Sequence, residues 1–122
     1  MGRNATFITL TIANGAAATE QFETLGYRVA AVISPAAWTA ADFSFEVENG
    51  SGTFVKVTDA AGALLKITGV ATAASEYMIM PEIGDALVSP RMMKVVSTNT
   101  ASEADVNQGA ARTVIVVLTP TE

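Results

Sequence analysis

Phe43-Ser44-Phe45-Glu46-Val47-Glu48 runs into Asn49-Gly50-Ser51-Gly52 and then into Thr53-Phe54-Val55-Lys56-Val57-Thr58. In an extended chain Phe43, Phe45 and Val47 share one face, while Ser44, Glu46 and Glu48 share the other. A period of two with apolar residues inward and acids outward is the mark of a half-buried strand. The four-residue break is built from residues that tolerate positive φ, so it reads as a turn. The segment that follows is then the antiparallel partner, and the unit is a β-hairpin.

The same alternation extends in both directions. Ile8, Leu10 and Ile12 share a face with Thr9 and Thr11 opposite. Leu25, Tyr27, Val29, Ala31 and Ile33 share a face with Arg28 opposite. Asp59-Ala60-Ala61-Gly62 is a second turn, leading into a strand at Leu64-Leu65-Lys66-Ile67-Thr68. Tyr77-Met78-Ile79-Met80 is a short strand stopped by Pro81, and Pro81 to Leu87 reads as a loop or a single helical turn. Met92 to Val96 is a strand entered after Pro90. Residues 98–109 are polar and read as an exposed loop. Arg112 to Thr119 is apolar on both faces, as a central strand covered on both sides would be.

Helix signals are few. Ser34-Pro35-Ala36-Ala37-Trp38 fits one turn with Ser as N-cap and Pro as the first helical residue. The Ala- and Thr-rich stretches at 16–20 and 70–75 read as loops. About eight short strands at close spacing indicate an all-β chain, a single β-sandwich or jelly roll of antiparallel strands. The expected domain spans residues 1–122, with 1–5 as an extended N-terminal arm.

Composition narrows the function. The 122 residues are 50% hydrophobic and 7% aromatic, with no His and no Cys. Without Cys there is no disulfide framework, thiol nucleophile or cysteine zinc site, and without His the commonest general base and transition-metal ligand are missing. These absences argue against an enzyme, and no cofactor is expected. Seven Lys and Arg stand against twelve Asp and Glu, for a net charge of −5. Arg3, Arg28, Lys56, Lys66, Arg91, Lys94 and Arg112 are scattered, so the basic footprint of a direct nucleic-acid binder is not expected. The longest purely apolar run, Val114 to Leu118, is far too short for a membrane-spanning helix, and no membrane association is expected.

Several residues have two readings. Glu46 and Glu48 lie two apart on one strand; this suits a solvated or protected edge better than the carboxylate pair across a cleft that glycoside hydrolysis needs. Glu82 and Asp85 could ligate calcium with loop carbonyls, although no EF-hand or Asp-rich repeat is present. Trp38 or Tyr77 could stack on a sugar ring. The favoured reading of Trp38 is a plug at one end of the sandwich, because burying a large aromatic gains more than exposing it. Met78, Met80, Met92 and Met93 suit core filling or an adaptable interface.

The stretch from Val32 to Val47, with Pro35-Ala36-Ala37-Trp38-Thr39 at its centre, resembles a group of small proteins encoded by tailed bacteriophages and prophages. Further blocks of the same pattern are Asn49-Gly50-Ser51-Gly52-Thr53-Phe54, Lys94-Val95-Val96-Ser97 and Val106-Asn107-Gln108-Gly109-Ala110-Ala111-Arg112-Thr113. The resemblance covers roughly residues 25–118. It implies a virion structural protein, assembled in the bacterial host cytoplasm, whose partner is the major capsid protein or another virion protein. Within that class a capsid decoration (cement) protein or other head-associated protein is expected, present as a homo-oligomer or in many copies. The layout also resembles discoidin-like, galactose-binding jelly rolls. That implies the alternative, a tail or spike module binding host-surface carbohydrate. The residues carried forward as ligand or interface contacts are Trp38, Tyr77, Arg91, Asn107, Gln108 and Arg112. The 98–109 loop and residues 1–6 are the segments expected to make contacts.

Overall fold

The structure, a computed structural model, describes residues 5–68, 70, 74–81 and 91–120. Among these, nine strands form two antiparallel sheets, and no α-helix is present. The strands are β1 (Thr6–Ile12), β2 (Phe22–Glu23), β3 (Tyr27–Ile33), β4 (Asp42–Glu48), β5 (Phe54–Lys56), β6 (Lys66–Ile67), β7 (Tyr77–Ile79), β8 (Met92–Thr98) and β9 (Arg112–Pro120). One sheet has the order β1-β9-β3-β7. The other has the order β2-β8-β4-β5, with β6 also on β4.

β5 and β6 run along the same edge of β4, opposite 46–48 and 43–44 respectively. Between them the chain makes a small hairpin excursion, with Thr58 bridged to Leu64 and the Asp59 turn at its tip. Counted as one interrupted strand, β5 and β6 leave eight strands. The sheet orders are then first, eighth, third, sixth and second, seventh, fourth, fifth. This is the arrangement of a jelly roll, two Greek keys folded face to face.

The hairpin that anchors the sequence reading forms as expected. Phe43 and Phe45 are fully buried between the sheets, and Val47 packs on the core from its margin. Asn49 Oδ1 accepts the Ser51 amide at 3.0 Å, and Gly50 and Gly52 take φ of 92° and 90°. A Cβ at either glycine would be strained in that left-handed region. From the facing sheet, Leu10, Ile12, Val29, Val32, Val114, Val116 and Leu118 close the core, with Phe22, Ile67, Met93 and Val95 beside the two phenylalanines. β9, read as a central strand, lies between β1 and β3.

Four expectations need correction. Val29, Ala31 and Ile33 do not share a face. The register of β3 on β9 slips between Val29 and Ala31, so Val29 opposes Leu118 and Ala31 opposes Val117. The extra residue, Ala30, is a β-bulge; it turns Val32 into the core and moves Ala31 and Ile33 to the outer face. Leu25 precedes β3 and is exposed. Ser34 to Trp38 forms no helical turn; Ser34 instead bonds the residue that leads into β7: its amide reaches the Glu76 carbonyl at 2.9 Å and its Oγ accepts the Glu76 amide at 2.9 Å. Finally, the 98–109 segment is not simply an exposed loop. Thr98 ends β8 and is buried, and Gln108 is buried. The expectations for residues 1–4, for 71–73 and for Glu82 and Asp85 fall outside the described residues.

Candidate functional site

Of the six residues singled out in the sequence, three converge and three lie apart. Trp38, Gln108 and Arg112 come together at one end of the sandwich, joined through Thr39. Gln108 Oε1 accepts the Thr39 amide at 2.8 Å and Arg112 Nε at 3.1 Å. Its Nε2 donates to the Thr39 carbonyl at 3.2 Å and to Ser97 Oγ at 2.7 Å. Thr39 Oγ1 accepts from Arg112 Nη2 at 3.1 Å and from the Gly109 amide at 3.1 Å. The Gln108 backbone completes the knot, its amide donating to Ala16 O at 2.9 Å and its carbonyl accepting from Gly15 at 2.8 Å. One buried amide side chain thus ties the β3–β4 connection to β8 and β9, and its backbone ties in the loop after β1. Every polar atom it carries is matched, as burial demands.

Trp38 sits beside this knot. Its Nε1 donates to the Ala41 carbonyl at 3.1 Å, and its ring meets Phe43 edge-on at 5.0 Å between centroids and 61° between planes. Half-buried against the core, it plugs the end of the sandwich. Thr39, Gln108, Gly109 and Arg112, with Trp38 packed beside them, therefore form one hydrogen-bonded closure. Gln108, expected as a contact residue, is only 1% exposed and is unavailable to a ligand.

Tyr77, Arg91 and Asn107 lie elsewhere. Tyr77 is on the edge strand β7, opposite Ile33, and is half-exposed. Asn107 is exposed beside Gln108. Arg91 precedes β8, with its Nε 3.6 Å from Glu23 Oε2. It lines an open depression of about 300 Å³ with Gln21, Glu48, Gly52, Phe54 and Met92. Lys94 Nζ stands over the Phe54 ring at 4.3 Å, within cation–π range. Glu48 Oε2 accepts the Gly52 amide at 2.9 Å and so belongs to the hairpin. Glu46 opposes Lys56 across the β4–β5 ladder. The two glutamates are neighbours on one strand face and do not face each other across the depression.

A second polar cluster went unread in the sequence. On the outer face of the β4–β8 sheet, Asp42, Ser44 and Thr98 are buried beneath the 99–105 loop. Ser44 Oγ and Thr98 Oγ1 are hydrogen-bonded. Lys66 Nζ lies 3.9 Å from Asp42 Oδ2 and 3.4 Å from Glu103, and donates to the Thr100 carbonyl at 3.2 Å. The loop is held in shape by Asn99 Oδ1, which accepts the Ala101 and Ser102 amides at 2.9 Å each. Lys56 pins its far end to Asp105 at 3.3 Å. The signal for this cluster was Asp42 immediately before a strand with Lys66 on a later one. Nothing in the spacing shows that a distant loop covers both.

Among the described residues no group of three or more His, Cys, Asp or Glu could hold a metal ion, and no helix is long and apolar enough to cross a membrane. No protein-family model, no curated protein and no solved structure matches the chain.

Proposed function

We propose that the protein is a structural component of a phage virion, a capsid decoration or other head-associated subunit that docks on the major capsid protein and performs no catalysis. The observation that carries this reading is the use made of the resembling motif blocks. Trp38-Thr39, Gln108 and Arg112 brace the body of a jelly roll, with their polar groups bonded to one another across the strands. Such a scaffold offers rigidity and surface, which is what a multi-copy docking subunit needs. Modest affinity per copy suffices when many copies bind a repeating lattice. The basic residues support the absence of a nucleic-acid role: Lys56, Lys66, Arg91 and Arg112 are each engaged with partners in the same chain. The decisive measurement is mass spectrometry of particles purified from the phage or prophage that encodes the chain. The protein is expected at a copy number commensurate with the capsid lattice, and its absence from intact particles would sink the reading.

The carbohydrate-binding alternative is favoured by one feature, the half-exposed ring of Tyr77 on β7. A glycan array probed with the wild-type chain and with Tyr77→Ala tests it. Binding that disappears in the variant, with the fold retained, would support a tail or spike module. No glycan retained by the wild type would eliminate it.

A further inference from the structure

We infer that the free edge of β1 is a self-association site, on which a second copy of this chain adds its own β1 antiparallel. The inference stands on edge geometry and is independent of the virion reading. Thr11 N–H donates off the sheet to Glu20 Oε1 at 2.9 Å. Antiparallel strands present both backbone groups of alternate residues to the same side, so Phe7 and Thr9 also aim their N–H and C=O outward. Their neighbours Ile8 and Leu10 face β9. Among the described residues nothing bonds the outward groups of Phe7 and Thr9.

The other sheet edges are blunted. β2 is two residues long, β7 is three residues long with Pro81 two positions past its end, and β5 carries Lys56 in an ion pair. β1 is seven residues long and has no charge, no proline and no bulge, which are the devices that keep free edges from pairing. The edge also presents Phe7, 60% exposed on the outer face.

A second copy is the occupant that fits. A chain of net charge −5 repels its own copies almost everywhere, but residues 5–13 contain no charged side chain. A two-fold axis through Phe7 sets Phe7 opposite Phe7 of the second copy and Thr9 opposite its Ala5, using the outward groups of Ala5, Phe7 and Thr9 on both edges. The pairing is isologous and closes at two copies. The two phenylalanines form a directly opposed cross-strand aromatic pair. Glu20 covers the Thr11 end, and this register places the two Thr11 residues about 27 Å apart, well beyond the screening length at physiological salt. The result is one continuous eight-stranded sheet across the dimer, twice the four strands of β1-β9-β3-β7.

The test is sedimentation equilibrium of the full chain, paired with amide hydrogen exchange by NMR. A small edge interface predicts a monomer–dimer equilibrium with Kd on the order of 10–100 μM. Phe7 and Thr9 amides should gain protection as concentration rises, while the Ile8 amide, bonded to β9, stays protected throughout. Thr9→Pro removes an outward donor and leaves the β9 ladder intact, a placement edge strands tolerate. It should weaken association at least tenfold. Phe7→Lys, which sets like charges face to face, should do the same and serves if the proline variant fails to fold. A chain that stays monomeric at about 1 mM, or a dimer that survives folded Thr9→Pro or Phe7→Lys unchanged, overturns the inference.

Discussion

Lys66→Met is expected to destabilise the protein by about 3–5 kcal/mol, the usual consequence of stripping the partner from a buried charge. Asp42 is the reason. Its side chain is 2% exposed, its Oδ2 accepts no hydrogen bond, and the Lys66 ammonium lies 3.9 Å away as its counter-charge. With methionine in place of lysine the apolar stem is kept and the charge is lost, so the packing of Lys66 against the sheet changes little. What remains is a carboxylate beneath the 99–105 loop with no counter-charge.

The reverse substitution is not equivalent. Lys66 is 17% exposed and keeps Glu103 at 3.4 Å and the Thr100 carbonyl at 3.2 Å when Asp42 is altered. Asp42→Asn should therefore cost about 1–2 kcal/mol, and the double variant should recover much of the loss seen in Lys66→Met. Urea unfolding of the four proteins gives the coupling energy directly. A Lys66→Met cost below about 1 kcal/mol would show that Asp42 is satisfied by something other than the lysine.

These clusters mark how far the sequence could be read. Strand after strand was legible because burial is one-sided and the period is two: Ile8-Leu10-Ile12, Phe43-Phe45-Val47 and the doubly apolar β9 all follow from local pattern. The bulge at Ala30 was not legible, since an inserted residue changes the facing of everything after it and leaves no compositional trace in Tyr27-Arg28-Val29-Ala30-Ala31-Val32-Ile33. β2 was missed for a different reason. Two residues cannot display an alternation, and Phe22 and Glu23 become a strand only because Met93 and Met92 lie beside them. The polar knots are long-range facts of the same kind. Gln108 and Thr39 lie 69 positions apart, and a glutamine in a polar run gives no local reason to expect burial. Trp38 could be placed because its size alone argues for the core.

Gln108→Leu is expected to cost about 2–4 kcal/mol, because the shape is kept while buried groups lose their partners. Thr39 N–H, Ser97 Oγ and the Nε of Arg112 each lose a bond to this one amide. Thr39 Oγ1 remains as a partner for Arg112 Nη2, so the guanidinium is not abandoned and the loss stays below the sum of the separate bonds. Gln108→Glu separates the two halves of the amide. The retained acceptor still serves Thr39 N–H and Arg112, and the Arg112 charge offsets the new carboxylate, but the donor to Thr39 O and Ser97 Oγ is gone. It should therefore fall between wild type and Gln108→Leu. The chain's single tryptophan is next to Thr39, so its emission reports on this end of the sandwich before global unfolding does. If Gln108 closes that end, Gln108→Leu shifts Trp38 emission to the red under native conditions as water reaches the ring. Unchanged emission together with wild-type stability would mean that the apolar contacts of Trp38 with Phe43 hold the end shut without the knot.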